Sequence, residues 1–439
     1  MLILYNLILT TLLILASPLL FVKAIFTRKY RSRLPGRLGI GLQEPHDQPW
    51  PRPRIWIQAL SVGEVRSAVP LVRGLRNAFP GGSILFSTST ATGARQAQET
   101  LADVVDRFLA FPLDLPWVVD RFIRTLRPDI FILVETDFWP NLLFGLRARA
   151  IPLVLVNGRI SAASLKRYKR FAFFFRPMFR IFDLVTTQSR IDAARFLELG
   201  ATAARTLTLG NLKFDDLRLS PAPLTGDVPA ADNKPPPLPW SAGATILIAG
   251  STHGGEDEMI LEIFTGLRRD FPDLVLLLAP RHPERARAVQ AAAARCGYAA
   301  RLRSETGSPD AHVLRVLILD TIGELTHLYG QGEVAFVGGS LVAAGGHNPL
   351  EPARHGKAVL FGPHMEDFAE IAADLLAAGA AEQCGDSEEL FLRLASLLAD
   401  RDRLKTMGRQ GRDLVLRHQG VACRHVAAIV QLLDNGKAR

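Results

Sequence analysis

Short apolar runs alternate with helical stretches along nearly the whole of this 439-residue chain. The alternation comes in two successive series, divided by a proline-rich segment, and polar or glycine-rich phrases stand at almost every strand end. These observations predict an α/β protein of two doubly wound, parallel-sheet, Rossmann-like domains. The first series of strands is expected at 54–58, 83–87, 130–134, 153–156, 184–187 and 206–209. The second is expected at 245–249, 274–279, 316–319, 334–337 and 358–361. Between them, residues 220–243 are rich in Pro, Ala, Asp and Gly and include Pro235-Pro236-Pro237, which reads as a linker. The expected layout is an apolar leader at 1–26, a first α/β domain at 36–219, the linker, and a second α/β domain at 244–439. Two such domains facing a cleft form the GT-B architecture, in which a nucleotide commonly sits on one side and a second substrate on the other. Fold alone does not fix function.

The leader sets the expected location. No charged side chain occurs from Met1 to Val22, a length that can cross a bilayer. Lys23, Arg28, Lys29, Arg31, Arg33 and Arg37 follow it, so the positive-inside rule places the later domains in the cytoplasm. The basic residues follow the apolar run rather than precede it, which favours an uncleaved single-pass anchor over a signal peptide. An in-plane interfacial helix is the lesser alternative. The net charge of +9 calls for an anionic partner: nucleic acid, acidic lipid or a phosphorylated substrate. Cys296, Cys384 and Cys423 are too few and too widely spaced for a disulfide framework or a zinc ribbon.

Chemistry is expected at the strand ends, since ligands of open α/β sheets bind at the carboxyl edge. Ala59-Leu60-Ser61-Val62-Gly63-Glu64 puts a carboxylate where the first strand passes into a helix. Glu64 is either a plain helix-terminus acid answering the macrodipole or a well-placed acid/base group. Glu135 ends an almost wholly apolar strand and must be paired or hydrogen-bonded if part-buried. Lys213 either neutralises a leaving phosphate or is a solvated surface lysine. Arg281 follows a strongly apolar strand and suits a phosphate oxygen or a base carbonyl; an ion pair with Glu284 is its plainer reading. Gly250-Ser251-Thr252-His253-Gly254-Gly255 enters a helix whose amides could hold a phosphate or sugar carboxylate. Glu351, in the helix after Gly345-Gly346-His347-Asn348-Pro349-Leu350, either binds ribose hydroxyls or answers the dipole.

Several classes are disfavoured. There is no P-loop, no GxGxxG fingerprint and no GxSxG elbow. The histidines show no metal-ligand spacing, and no metal is expected. Asp400-Arg401-Asp402 lies in a charged helical stretch away from any strand end and reads as solvated surface. Residues 164–182 mix Lys166, Arg167, Lys169, Arg170, Arg176 and Arg180 with Phe171, Phe173, Phe174, Phe175 and Phe179. This is either a lipid-facing amphipathic stretch or a core helix with a basic outer face.

The strand-end phrases resemble those of the 3-deoxy-D-manno-octulosonic acid (Kdo) transferases. The resemblance is carried by Ala59 to Glu64, Glu135-Thr136-Asp137-Phe138-Trp139-Pro140-Asn141, Asn157-Gly158-Arg159-Ile160-Ser161 and Gly210-Asn211-Leu212-Lys213-Phe214-Asp215. In the second half it is carried by Gly250 to His253, Ala279 to Arg285, Asp320-Thr321-Ile322-Gly323-Glu324-Leu325 and the phrase from Phe336 through Ala353. It spans nearly the whole chain in order. It implies an inverting GT-B transferase at the cytoplasmic face of the inner membrane, moving Kdo from CMP-Kdo to a lipid A precursor (lipid IVA) in lipopolysaccharide synthesis. It further implies Glu64 as proton acceptor, and Glu135 and Lys213 as transition-state stabilisers. CMP would be held by Pro280 and Arg281, by Ile322, Gly323 and Glu324, and by Asn348, Pro349, Leu350 and Glu351. CMP-Kdo would be a donor substrate, with no cofactor, no metal and no nucleic acid partner. Leu60, where a small residue is common, and Asp137, where Glu is common, depart from the family pattern. Two other readings remain open: a GT-B transferase using a UDP-sugar, and a non-enzymatic membrane scaffold binding anionic lipid or RNA.

Overall fold

The computed structural model describes residues 2–26, 28–43, 50–215, 238–240, 243–305 and 314–437. The chain forms two units, Met1–Leu217 with Gly420–Arg439, and Arg218–Gln419. The first is built on seven parallel strands: β1 (Arg54–Ala59), β2 (Ser83–Thr88), β3 (Arg107–Ala110), β4 (Ile130–Val134), β5 (Leu153–Gly158), β6 (Leu184–Thr187) and β7 (Thr206–Thr208). Their spatial order is β3-β2-β1-β4-β5-β6-β7. The second unit carries β8 (Thr245–Thr252), β9 (Leu274–Pro280), β10 (Ala300–Leu302), β11 (Val316–Ile318), β12 (Val334–Val337), β13 (Ala358–Phe361) and β14 (Ala381–Gln383). These are also parallel, in the order β10-β11-β9-β8-β12-β13-β14.

The central strands are apolar throughout because both faces are covered. In β4, Ile130, Ile132 and Val134 enter one core while Phe131 and Leu133 enter the other. Leu247 and Ala249 of β8 divide from Ile246 and Ile248 in the same way. The sheet order reverses between β1 and β4 in the first unit and between β8 and β12 in the second, where the chain also turns back at one edge, β10 lying outside β11. Such switch points open a crevice at the carboxyl ends of the two diverging strands.

All eleven expected strands are present, within a few residues at their ends. Three more, β3, β10 and β14, stand at sheet edges, where a short strand covered on one side needs no apolar run. The boundary at 244–439 needs correction. The last helix, Val421–Lys437, belongs to the first unit. Its Val421, Ala422, Ile429 and Leu433 join Val65, Ala68, Val69 and Val72 of the helix Val62–Ala78 in one core. The two helices touch so closely at Gly74 that a Cβ there would lie 2.8 Å from Val426. Both Asp215 carboxylate oxygens accept from the start of this helix, from Gly420 N and Ala422 N. Most of the expected linker, 220–237 and 241–242, lies outside the described residues. By Leu238 the chain is already packed in the second unit, with Leu238 N donating to Gln331 Oε1 and Trp240 Nε1 to the Leu314 carbonyl.

The leader is helical, Leu2–Phe26. The expectation that it spans a bilayer is not met: among the described residues no helix is long and apolar enough to cross a membrane. Two of its polar residues are instead bonded to the first α/β domain. Tyr5 Oη donates to Asp114 Oδ2 (2.9 Å) and Asn6 Nδ2 to Asn141 Oδ1 (3.0 Å). Ile3, Leu4, Leu7, Ile8, Leu12, Ile14 and Leu15 are exposed.

Candidate active site

In the first unit, Ser61 caps the helix Val62–Ala78 and accepts from Glu64 N. A serine followed three residues on by Glu is the usual reciprocal cap. Here the Glu64 carboxylate reaches one residue further back and accepts from Leu60 N. The group is 7% exposed. Burial, then the charges of Glu135 and Asp137, push its pKa from 4.5 up to about 8, against the opposing hydrogen bond from Leu60. Glu64 follows β1 and Glu135 follows β4, so the two acids flank the switch point.

Glu135 sits in the left-handed region (φ 62°), as does Asn157 (φ 56°). Asn157 is fully buried at the end of β5. Its Nδ2 donates to Glu135 Oε1 (3.2 Å) and its Oδ1 accepts from Leu212 N (2.9 Å). The Asn157 carbonyl accepts from Gln188 Nε2 (3.0 Å), Gln188 Oε1 from Asn211 Nδ2 (3.0 Å), and Asn211 Oδ1 from Lys213 N (3.0 Å). Side-chain amides thus tie the end of β4 to the single-turn helix Leu212–Asp215, which carries Lys213. Asp137 is held by Gln58 Nε2 (3.1 Å) and Ser89 Oγ (3.2 Å), and burial pushes its pKa up. Asn157, Gln188, Asn211 and Gln58 were not singled out as site residues from the sequence. An Asn-Gly pair at a strand end marks the first of them, but their partners come from neighbouring strands.

In the second unit, the phrases named from sequence gather on the carboxyl edge of adjacent strands. His253 follows β8, Pro280 ends β9 and Arg281 follows it, Ile322 to Glu324 follow β11, and Asn348 to Glu351 follow β12. Arg281 is exposed and makes no ion pair with Glu284, which lies by His282 instead. Ile322 is 87% exposed beside Gly323, whose φ of 94° suits only glycine. Glu324 is engaged, accepting from Arg303 Nε (3.1 Å) and Thr321 Oγ1 (2.6 Å). Asn348 Oδ1 accepts from Leu350 N (3.1 Å), and Glu351 Oε2 from Thr326 Oγ1 (3.0 Å).

In the glycine-rich turn at 250–255 one amide is taken by a side chain of the protein. Fully buried Glu256 reaches back to take His253 N (2.8 Å) and crosses to Gly339 N (2.7 Å), Ser340 N (2.9 Å) and Leu341 N (2.9 Å). A protein carboxylate fills a nest made of one amide of the turn expected to seat a phosphate and three amides of the segment after β12. Gly250 is required for another reason: a Cβ there would collide with Tyr329 Oη. Asp400 is a helix cap, accepting from Arg403 N, in keeping with its reading as surface. Among the described residues no group of three or more His, Cys, Asp or Glu is arranged to hold a metal ion.

Comparison with known proteins gives the class and then the family. The chain superposes on a crystal structure of a glycosyltransferase from Rickettsia africae with a TM-score of 0.54 at 14% identity, covering 87% of this chain and 99% of that one. The two doubly wound units are those of the GT-B glycosyltransferase architecture. The family model described as 3-deoxy-D-manno-octulosonic-acid transferase (kdotransferase) matches residues 32–216. The Kdo transferase of Haemophilus influenzae is 35% identical over 97% of this chain and 96% of its own length. That of Bordetella pertussis is 34% identical over 90% of each chain. The chain belongs to the Kdo transferase family and is a glycosyltransferase acting in lipopolysaccharide synthesis.

Proposed function

We propose that this enzyme moves Kdo from CMP-Kdo to a lipid A precursor, with inversion, using Glu64 as general base. The observation that carries this reading is the buried Glu64 carboxylate at the β1/β4 switch point, its proton affinity raised by burial and by two neighbouring acids. A base with a pKa near 8 is matched far better to a sugar hydroxyl than an ordinary carboxylate is. In one displacement, Glu64 takes the proton of the acceptor hydroxyl as that oxygen attacks the anomeric carbon, and CMP leaves carrying the electron pair of the broken bond. The departing phosphate gains charge, and Lys213 is the cation assigned to balance it without a metal. Glu135, held by Asn157, fixes the polar surroundings of the reacting centre. The cytidine nucleotide is assigned to the edge formed by Pro280, Arg281, Ile322 to Glu324 and Asn348 to Glu351.

The lipid acceptor and the membrane enter the reading through one surface of the first unit. The leader helix exposes a row of leucines and isoleucines, and its Tyr5 ring lies 5.8 Å from that of Phe174. Phe174 belongs to the second of two basic-aromatic helices, Ala162–Arg170 and Ala172–Arg180, which leave Phe171 and Phe173 exposed among Lys166, Arg170 and Arg176. Such a surface suits peripheral attachment to an anionic bilayer, with the leader lying in the interface. On this reading the enzyme works at the cytoplasmic face of the inner membrane.

The test is a transfer assay with CMP-Kdo and a tetraacylated lipid A precursor, read by mass spectrometry, which also counts the sugars added. Acceptance of a UDP-sugar in place of CMP-Kdo would overturn the donor assignment.

A further inference from the structure

A cavity of about 330 Å³ lies in the first unit between the edge strand β3, its neighbour β2 and the helix Ala91–Leu101. Its floor is apolar, with Phe86, Phe108, Ala91 and Ala94 on it. The small side chains of Ala91 and Ala94 leave space that larger ones would fill. Two cations line the same cavity, Arg95 from that helix and Arg33 from the helix Arg28–Arg37. Arg33 Nη2 donates to the Thr88 carbonyl at the end of β2 (3.0 Å). Arg33 Nη1 is shut off from solvent and has no hydrogen-bond partner. Among the described residues no acid lines the cavity. Burial, then the like charge of Arg37, holds the Arg33 pKa below its ordinary value. Arg37 itself donates from Nε to the Phe111 carbonyl (3.1 Å) and feels the charge of Asp137. A buried donor without a partner is costly, and an anion held by Arg33 removes that cost.

The cavity is joined by hydrogen bonds to the turn of the proposed base and to the leader. Thr90 caps the helix Ala91–Leu101, and its N and Oγ1 both donate to the Leu60 carbonyl (3.3 and 3.1 Å). Leu60 N is the donor to the Glu64 carboxylate. On the other side, the segment after β3 carries Leu113, whose N donates to the Arg37 carbonyl (3.0 Å). The same segment carries Asp114, which accepts from Tyr5 of the leader. An occupant matched to this place combines negative charge with an apolar stem, and works between a lipid-facing surface and a proton acceptor.

We propose that this cavity is a subsite for the acceptor, in which Arg33 and Arg95 hold a phosphate of the lipid A precursor and an adjoining acyl chain lies against Phe108 and the two alanines. Two cations over an apolar floor complement a phosphorylated, acylated sugar; the water-soluble donor has no apolar stem to place there. The inference rests on the acceptor reading above and adds to it the residues that set acceptor specificity. Neither arginine takes part in the bonds that form and break.

The test is a steady-state assay of the full chain with saturating CMP-Kdo and three tetraacylated acceptors, one bearing both phosphates and two lacking one or the other. Arg33→Gln and Arg95→Gln should each raise the KM for the bisphosphorylated acceptor by about tenfold, with kcat and the KM for CMP-Kdo unchanged. Wild type should lose the same factor with one of the two monophosphorylated acceptors, and on that acceptor the variants should lose nothing further. Ala94→Leu, which fills the cavity, should raise the KM for all three acceptors and leave that for CMP-Kdo as it was. Wild type using all three acceptors alike, or arginine variants losing the same factor with each, would overturn the subsite while leaving Kdo transfer intact. Absence of transfer by wild type to any of the three would remove the acceptor reading as well. If Arg33→Gln does not fold, as read from its thermal melting, Arg95→Gln and Ala94→Leu decide.

Discussion

Glu64 shows at the scale of one residue how burial makes a base out of a capping acid. Its place at the start of a helix was legible in Ser61-Val62-Gly63-Glu64, and so was the choice between cap and catalyst. What was not legible is the source of its proton affinity, because Glu135 and Asp137 reach it only through the pairing of β1 with β4. Replacing Glu64 with Gln should leave nucleotide binding unchanged and lower transfer by about 10²–10⁴-fold, measured as kcat with saturating substrates. The sign of the pH dependence follows from the raised pKa. Glu64 is protonated below about 8, so kcat/KM should climb with pH and level off above it. Glu135→Gln removes a repelling charge and should move that rise to lower pH. For stability, a raised folded-state pKa gives a contribution that is full below about 4.5 and is lost as pH rises through about 8. The melting temperature of Glu64→Gln relative to wild type should therefore improve between pH 6 and pH 9.

Elements are tied to one another here by side-chain amides. Asn157 joins the end of β4 to the turn bearing Lys213, in a backbone conformation that Asn tolerates better than most residues. Asn157→Ala leaves Leu212 N without its acceptor in a buried place. The expected cost is about 1–3 kcal/mol in a denaturant titration, with a drop in kcat larger than any change in nucleotide affinity. The apolar strands were readable from sequence because burial on both faces demands an unbroken run, as in Ile130 to Val134. The edge strands β3, β10 and β14 were not, because exposed Arg107 and Gln383 and half-buried Arg301 break the pattern. The bonding of Glu256 was hidden for a related reason. Glu256 looks like a surface acid at a helix start, and only the closeness of β12 shows that its carboxylate fills the nest.

For the whole molecule, two doubly wound units were legible from the alternation, and the family from the order of the strand-end phrases. The allocation of the last helix was not. Val421, Val426, Ile429 and Leu433 read as an ordinary amphipathic face, and nothing local says which core they enter. The structure assigns them to the core beside the helix that opens with Glu64. Ending the chain after Gln419 should thus destabilise the first unit and spare the second. Hydrogen exchange read by mass spectrometry should show faster exchange in β1, β4 and the helix Val62–Ala78, with β8 and β9 protected as before.

That returning helix also sets an order of assembly during synthesis. Residues from Leu238 to Gln419 can close their core as soon as they leave the ribosome. The earlier-made half must wait, its central helix missing a neighbour, until the last turns of the chain have been translated. The half holding the proposed base is then finished last, after the half assigned to the nucleotide.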